Sequence, residues 1–214
     1  MGAPLIKICG IATAEALDAA IASQADFAGL VFFPPSPRNV EGHAAAALAA
    51  RAGSRIGRVG LFVDADDSTM AEGIAAGRLE AVQLHGEESP ARVAQVKARF
   101  RLPVWKAIPV STAADVARAE DYRGVADLLL FDAKTPKDAA LPGGMGLRFD
   151  WSLLAAQKGR SGWGLAGGLS PANVADAIHL TAAPLVDTSS GVETAPGNKD
   201  PDLIRAFCEA ARGA

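Results

Sequence analysis

Short apolar segments alternate along the chain with longer, alanine-rich segments whose apolar residues recur every three or four positions. The first type predicts β-strands and the second predicts α-helices. Eight strands are predicted, over residues 5–11, 27–33, 56–63, 81–85, 103–109, 126–132, 163–167 and 184–188. Eight helices are predicted between and after them, near residues 13–25, 42–52, 67–77, 88–100, 112–121, 149–157, 171–181 and 200–212.

This alternation predicts the fold class. Strands that alternate with helices form parallel sheets through right-handed crossovers. A doubly wound open sheet would also fit, but eight units favour closure into a (β/α)8 TIM barrel of parallel strands, with residues 1–214 as one catalytic domain. Functional side chains of such a barrel lie at the C-terminal ends of the strands and on the loops that follow. The search for a site is therefore limited to eight short windows.

Composition and charge exclude several classes of partner. The 214 residues are 50% hydrophobic, carry a formal net charge of -3 and contain no run of Lys or Arg, so we expect no binding to nucleic acid or to a membrane. No apolar run reaches the roughly 18 residues of a membrane span. The two cysteines, Cys9 and Cys208, are far apart and no leader-like pattern opens the sequence, which predicts a cytoplasmic protein.

The first predicted strand, LIKICGI, places a lysine and a thiol on the same face. Lys7 and Cys9 are two residues apart and face the barrel interior, whereas Ile6 and Ile8 face the helices. A buried ammonium needs a partner, and a nearby ammonium lowers the pKa of a thiol. Cysteine is also a common core residue. The neighbouring lysine favours the functional interpretation of Cys9.

Other polar side chains lie at the ends of strands 2, 4 and 6. The stiff loop PPSPRNV carries Arg38, whose guanidinium suits bidentate binding of a carboxylate. Gln83 and His85 share the inward face of strand 4. Asp132 ends strand 6 before a long loop, and partial desolvation would raise its pKa enough for a general acid, an effect that Lys134 would oppose.

Glycine- and serine-rich loops follow strands 7 and 8. They read LAGGLSPANV and VDTSSGVETAPG, and their candidate ligand-binding residues are the glycine pair Gly167 and Gly168 and the serines Ser189 and Ser190. Backbone N–H groups at glycines and serine hydroxyls can approach an anion closely, and barrels often bind phosphate at these two strand ends. The pair of loops therefore predicts a phosphorylated small-molecule ligand.

These windows together resemble the phosphoribosylanthranilate isomerases of tryptophan biosynthesis. The shared motifs are KICGI at 7–11, GLVFFPPSPR at 29–38, VGLFV at 59–63, VQLHGEE at 82–88, LLFDAKTP at 129–136, GGMGLRFDW at 143–151, AGGLSPANV at 166–174 and VDTSSGVETAPGNKD at 186–200. The resemblance implies a (β/α)8 barrel and an Amadori rearrangement of N-(5-phosphoribosyl)anthranilate to 1-(2-carboxyphenylamino)-1-deoxyribulose 5-phosphate, with no redox step and no cofactor.

The resemblance also implies roles for individual residues. Cys9 would be the general base, Asp132 the general acid and Arg38 the ligand of the anthranilate carboxylate. The phosphate would be bound by the backbone and hydroxyls of Gly167, Gly168, Ser189, Ser190 and Gly191. The further residues expected to bind or position the substrate are Lys7, Gln83, His85 and Asp187. Met145 departs from the family, in which the loop usually reads Gly-Gly-(Thr or Ser)-Gly.

Several alternatives remain at this point. A phosphosugar isomerase with two aspartates, or an indole-forming synthase, would use the same fold, although two-aspartate chemistry would place Asp where Cys9 stands. A catalytically silent barrel could bind a phosphorylated ligand for regulation. The three histidines, His43, His85 and His179, do not show metal-ligand spacing, so no metal is expected. A monomer is expected, with a homodimer as the alternative.

Overall fold

The computed structural model of the chain describes residues 2–134 and 146–214. Eight strands form a closed barrel in chain order, each parallel to its neighbours, and the first strand pairs with the eighth. The strands are β1 (Leu5–Cys9), β2 (Phe27–Phe32), β3 (Gly57–Phe62), β4 (Ala81–Leu84), β5 (Val104–Val110), β6 (Leu128–Ala133), β7 (Trp163–Leu165) and β8 (Leu185–Thr188). The predicted fold class is confirmed, and the open-sheet alternative is wrong.

Helices cover the outside of the barrel, and one hairpin is added after β8. The α-helices are α1 (Ala14–Ala22), α2 (Gly42–Ala52), α3 (Asp67–Gly77), α4 (Pro90–Phe100), α5 (Ala113–Ala117), α6 (Val174–Thr181) and α7 (Pro201–Arg212). Short 3-10 helices span Arg118–Tyr122, Trp151–Gln157 and Ser190–Val192. Strands β9 (Glu193–Ala195) and β10 (Asn198–Lys199) form a separate antiparallel pair that the hydrophobic pattern did not predict.

Three predicted helices differ from the observed ones. The segment 112–121 divides into α5 and a 3-10 helix, and 149–157 contains only a 3-10 helix. Such short segments gain few i to i+4 bonds, so the tighter geometry is accessible. The helix predicted from residue 171 begins at Val174, because the Asn173 side chain accepts from Ser170 N and donates to Gly168 O, both at 2.9 Å, and so stabilises a turn there.

Successive side chains of each strand point alternately outward and inward, which separates two apolar regions. Ile6 and Ile8 of β1 are fully buried in the core between strands and helices. A smaller cluster inside the barrel consists of Val59, Ala81, Trp105, Leu130, Ala166 and Leu185. Phe27 packs edge-to-face on Trp105, with ring centroids 5.1 Å apart. This packing fills the interior near the strand N-termini and leaves the polar side chains at the opposite end.

A buried ion pair fixes the loop that follows β4. Lys106 is 2% exposed; its Nζ lies 3.1 Å from Glu88 Oε2 and donates to Gly86 O at 2.8 Å. The Glu88 carboxylate in turn accepts from the N–H groups of Asp64 and Gly86. A satisfied buried pair of this kind restricts the backbone. The loop directly after His85 is therefore held from β3 and β5.

Candidate active site

One cavity opens at the C-terminal end of the barrel. It is lined by ten of the twelve residues predicted from the sequence: Cys9, Arg38, Gln83, His85, Asp132, Gly167, Gly168, Asp187, Ser189 and Ser190. The apolar part of its wall contains Val31, Phe33, Leu61, Val63 and Leu169. The structure thus brings together side chains separated by up to 181 positions, as the shared strand edge predicted.

Lys7 and Asp187 form an ion pair in the barrel interior. They are register partners on β1 and β8, and Lys7 Nζ lies 3.1 Å from both oxygens of Asp187. Lys7 is completely buried, which by itself lowers the pKa of its ammonium, but the charges of Asp187 and Cys9 outweigh burial and raise it. Lys7 therefore remains charged below the cavity, with Asp187 as the partner that a buried ammonium requires.

Cys9 is the thiol at the base of the cavity. It is 5% exposed, and the glycine opposite it, Gly29, makes room: a Cβ there would lie 3.1 Å from Cys9 Sγ. Burial raises the pKa of Cys9; Lys7 and Lys199 lower it and Asp187 raises it further. Lys7 thus acts in the direction expected from the sequence, but burial has the larger effect and favours the neutral thiol.

Asp132 lies at the end of β6 with its pKa strongly displaced. Burial is the main cause and the nearby Asp187 carboxylate adds to it, so the pKa rises from 3.8 to about 7, although the Ala133 N–H donates to Oδ1 at 2.8 Å. Lys134, expected to oppose this rise, instead pairs with Asp115, 3.2 Å away. A carboxyl with a pKa near 7 can donate a proton at neutral pH.

The raised pKa of Asp132 predicts a pH-dependent loss of stability. An unfolded aspartate ionises near pH 3.9 and the native one near 7, so the native state binds more protons between these values and stability falls as pH rises. Between pH 5 and pH 8 we expect Asp132 to lower the free energy of unfolding by about 2–3 kcal/mol. Urea unfolding of the wild type and Asp132→Asn at both pH values measures this difference, and parallel pH curves would contradict it.

Gln83 and His85 connect to Asp132 in a row. Gln83 Nε2 lies 3.0 Å from His85 Nδ1, and His85 Nε2 lies 3.4 Å from Asp132 Oδ2. If the amide donates to Nδ1, the neutral imidazole carries its proton on Nε2, facing the carboxylate. The two inward residues of β4 are thus placed to orient the candidate acid, and Gln83 itself is fully buried.

Arg38 belongs to a cluster of three charged side chains. Its Nε and one terminal nitrogen donate to Glu193 at 2.8 and 2.7 Å, and Lys199 Nζ contacts the same carboxylate. Lys199 also donates to Ser189 O at 3.0 Å. Hydrogen bonds from Arg38 and the charge of Lys199 outweigh burial and lower the pKa of Glu193. The cluster links the loop after β2 to the loop after β8.

The glycine and serine loops after β7 and β8 pack closely against each other. Gly167 and Gly168 have φ values of +85° and +64°, a conformation that glycine adopts without strain. A Cβ at Gly191 would lie 1.9 Å from Leu169 O, so the two loops touch through their backbones. Gly191 supports this contact from outside the lining of the cavity. Met145 lies outside the described residues.

Glu193 and Lys199 were missed by the sequence reasoning. Both occur in the motif VDTSSGVETAPGNKD, which contributed to the family resemblance, but no role was assigned to either. A signal was present, because an acidic and a basic residue flank a Pro-Gly turn directly after the predicted phosphate loop. Within residues 2–134 and 146–214, no group of three or more His, Cys, Asp or Glu side chains could hold a metal ion.

Comparison with known proteins places the chain in a family. Residues 6–210 match the family described as N-(5'phosphoribosyl)anthranilate (PRA) isomerase. The chain is 55% identical over 208 residues to the N-(5'-phosphoribosyl)anthranilate isomerase of Paramagnetospirillum magneticum, with 97% of each chain covered. Among solved structures, it is similar to the phosphoribosyl anthranilate isomerase of Thermotoga maritima, with a TM-score of 0.87, 37% identity and 99% and 100% of the two chains covered.

A further similar structure carries a ligand. It is a phosphoribosyl anthranilate isomerase in complex with reduced 1-(o-carboxyphenylamino)-1-deoxyribulose 5-phosphate, with a TM-score of 0.85, 35% identity and 99% and 100% of the two chains covered. These matches span nearly the whole chain and agree with the barrel fold. The chain belongs to the N-(5'-phosphoribosyl)anthranilate isomerase family.

Proposed function

We propose that Asp132 and Cys9 are the general acid and the general base with which this protein catalyses the Amadori rearrangement of its family. The protein is an isomerase of tryptophan biosynthesis that converts N-(5-phosphoribosyl)anthranilate to 1-(2-carboxyphenylamino)-1-deoxyribulose 5-phosphate. The assignment of the two residues is carried by one observation. A carboxyl with a pKa of about 7 and a buried thiol line the same cavity, beside an arginine and two glycine- and serine-rich loops.

The first step opens the furanose ring. Protonated Asp132 gives its proton to the ring oxygen, the C1–O bond breaks, and the nitrogen lone pair forms a protonated Schiff base at C1. Because burial holds the pKa of Asp132 near 7, a large fraction of the carboxyl is protonated at neutral pH. The aspartate left behind faces Nε2 of His85, 3.4 Å away. His85 can therefore stabilise the ionised form that follows proton transfer.

The second step moves a proton from C2. The thiolate of Cys9 removes it, the C–H electron pair forms the C1–C2 double bond, and the C1–N π electrons return to nitrogen to give a neutral enolamine. A proton added at C1 and a proton lost from the C2 hydroxyl then give the ketone. Burial disfavours the thiolate in the free protein, whereas the cationic Schiff base places positive charge beside it, in addition to Lys7 and Lys199. The cationic Schiff base therefore favours the thiolate that removes its C2 proton.

Arg38 and the loops after β7 and β8 supply binding at the two ends of the substrate. We assign the anthranilate carboxylate to Arg38, since a guanidinium matches a carboxylate bidentately. The phosphate is assigned to Gly167, Gly168, Ser189 and Ser190, with Gly191 packed behind them against Leu169. Lys7, Gln83, His85 and Asp187 support the reacting groups from behind, through the ion pair at 3.1 Å and the Gln83–His85 contact at 3.0 Å.

Activity of the wild-type protein is the direct test. Phosphoribosylanthranilate would be generated in situ from anthranilate and phosphoribosyl pyrophosphate, and its fluorescence followed after the purified protein is added. Rapid loss of fluorescence with formation of the aminoketose, identified by mass and chromatography, is the expected result. Binding of the reduced product without turnover would favour the catalytically silent barrel.

The two-aspartate alternative is disfavoured by the geometry of the cavity. Besides Asp132, the aspartate that lines it is Asp187, and both oxygens of Asp187 accept from Lys7 at 3.1 Å. Burial raises the pKa of Asp187 and outweighs the opposing effect of Lys7, but both carboxylate oxygens already accept from Lys7, which competes with any proton from the substrate. Cys9 occupies the strand-1 position that two-aspartate chemistry would need for a carboxylate.

Replacing Gly168 by alanine is expected to weaken phosphate binding. At φ +64°, a Cβ would lie 2.4 Å from Arg148 Cγ and 2.6 Å from Leu147 O, so the loop must move. Loss of one or two hydrogen bonds to a charged group corresponds to a rise in KM of about tenfold or more. Gly124→Ala is the matched control, because Gly124 has φ +83° and no heavy atom near its Cβ. A Gly168→Ala variant with unchanged KM and unchanged inhibition by inorganic phosphate would contradict the assignment.

We further propose that residues 1–214 act as one catalytic domain, as a cytoplasmic monomer and without a cofactor. Both cysteines are unpaired and buried, as is usual in a reducing compartment. Across the part of the chain that the structure describes, the exposed large apolar side chains are Leu5, Leu147 and Leu180. No helix described is long and apolar enough to cross a membrane. Scattered exposed leucines do not form the apolar patch that a stable homodimer needs.

A further inference from the structure

We infer that Glu193 is a positioning residue for Arg38, and that the hairpin β9–β10 holds the guanidinium in the orientation that selects a carboxylate-bearing substrate. The inference rests on the proposed function, in which Arg38 binds the anthranilate carboxylate. Glu193 forms no part of the lining of the cavity, so it acts through Arg38 rather than on the substrate. The argument depends on the contacts, the packing and the charge of the cluster.

Two hydrogen bonds to Glu193 fix the orientation of the Arg38 guanidinium plane. Arg38 donates from Nε and from one terminal nitrogen to the two oxygens of Glu193, at 2.8 and 2.7 Å. The side chains of Arg38, Glu193 and Lys199 are only 6%, 3% and 2% exposed. A bidentate arginine–carboxylate pair fixes the orientation of the guanidinium in addition to stabilising the interaction. An arginine that must meet a planar carboxylate edge-on benefits from such a fixed partner.

Packing also holds the Arg38 side chain against β1 and the hairpin against the loop that carries Arg38. A Cβ at Gly10 would lie 2.7 Å from Arg38 Cδ, so the aliphatic part of Arg38 lies directly over the end of β1. In the hairpin, Gly197 donates its N–H to Glu193 Oε2 at 3.2 Å. A Cβ at Gly197 would lie 2.5 Å from Pro37 O, so the hairpin turn rests against the residue before Arg38. The hairpin is therefore docked on the loop that it positions.

The charge of the cluster matches one carboxylate. Arg38 and Lys199 are cations, with burial lowering the pKa of Lys199 against the opposing effect of Glu193. Glu193 is an anion whose pKa lies below its usual value, because these two cations outweigh burial. The cluster thus has one excess positive charge, which a single substrate carboxylate neutralises. Without Glu193, two buried cations would lie side by side, and their repulsion would displace Arg38. Lys199 also donates to the oxygens of Ser189, so the cluster extends to the predicted phosphate loop.

The test compares two ligands on the full-length chain. The first ligand is reduced 1-(o-carboxyphenylamino)-1-deoxyribulose 5-phosphate. The second ligand is the same compound without its carboxylate. Calorimetry gives their ratio of affinities in the wild type, Glu193→Gln, Arg38→Met and the double variant. We expect Glu193→Gln to reduce the ratio about tenfold, and to raise KM about tenfold with kcat changed less than threefold. In the Arg38→Met background, Glu193→Gln should have no further effect.

Control variants distinguish the positioning role of Glu193 from a general effect of the substitution on stability. Glu120 likewise lies between two arginines, Arg123 at 2.7 Å and Arg160 at 3.1 Å, but on the outside of the barrel, so Glu120→Gln should leave the ratio unchanged. If Glu193→Gln does not fold, the combined variant Glu193→Gln/Lys199→Met removes the anion and one cation together and should show the same loss of selectivity.

The outcomes distinguish the two hypotheses. Loss of selectivity in both Arg38→Met and Glu193→Gln, without additivity, supports the positioning role. Loss in Arg38→Met with an unchanged ratio in Glu193→Gln overturns the inference and leaves the proposed function intact. An unchanged ratio in Arg38→Met shows that Arg38 does not read the carboxylate, and both the assignment of Arg38 and the inference are then wrong.

Discussion

Replacing Asp132 by asparagine is expected to lower kcat by about 10²–10⁴-fold, the usual contribution of a positioned general acid. Asparagine has nearly the same shape and can still accept from the Ala133 N–H, which donates to Asp132 Oδ1 at 2.8 Å. The amide cannot donate a proton to the ring oxygen and recover it, so ring opening becomes limiting. Affinity for the reduced product should change less than about threefold, because Asp132 is assigned to proton transfer rather than to binding.

The measurement pairs steady-state kinetics with ligand binding. Near-ultraviolet circular dichroism would verify that Asp132→Asn is folded, and Asp121→Asn, at an exposed position on the outside of the barrel, is the matched substitution. Because the amide does not titrate, the free energy of unfolding of the variant relative to the wild type should rise by about 2–3 kcal/mol between pH 5 and pH 8, as argued from the raised pKa. A variant that is folded, binds the reduced product and turns over at more than a tenth of the wild-type rate would exclude Asp132 as the acid.

Replacing Cys9 by serine is expected to lower kcat by at least the same factor, about 10²–10⁴-fold. The thiol of Cys9 already has a raised pKa, because it is buried. A serine hydroxyl is far less acidic than a thiol, and the same burial would make its alkoxide almost inaccessible. Removal of the C2 proton should therefore become the slowest step, even though serine differs from cysteine by only one atom.

An isotope experiment distinguishes this effect from a general loss of activity. With substrate deuterated at C2, Cys9→Ser should show a large primary isotope effect on kcat, whereas Asp132→Asn, limited by ring opening, should show almost none. Cys208→Ser is the control, since Cys208 is a buried residue of α7 and does not line the cavity. Equal isotope effects in Cys9→Ser and Asp132→Asn would mean that the two residues do not divide the reaction as proposed.

The two cysteines illustrate how position rather than residue type determines reactivity. Burial raises the pKa of both, that of Cys208 to about 11. Cys208 packs in the apolar core, whereas Cys9 opens into the cavity and is influenced by Lys7 and Lys199. A protonated thiol in the free enzyme is compatible with a base that acts only after the Schiff base forms. Under the proposed assignment, the thiol would stay neutral in the free enzyme and ionise beside the cationic Schiff base.

The sequence alone was sufficient for the barrel and for most of the cavity. Period-two alternation determines which side chains of a strand face inward, so Lys7 and Cys9 could be assigned to the interior before any coordinates. Parallel strands collect their C-terminal ends at one edge, which placed Asp132 and the glycine loops in one site. Both predictions depend on local periodicity and on the handedness of crossovers, and neither needs the distance between any two atoms.

Tertiary structure decided the pairing of charges. Lys134 is adjacent in sequence to the candidate acid but pairs with Asp115, and Arg38 pairs with Glu193, 155 positions away. The net effect on the pKa of Cys9 also reversed the expectation drawn from Lys7, because desolvation depends on all the atoms that enclose the thiol. A sequence pattern reports which charges are neighbours along the chain, whereas an ion pair and a pKa depend on separation and burial in space, which only the folded barrel determines.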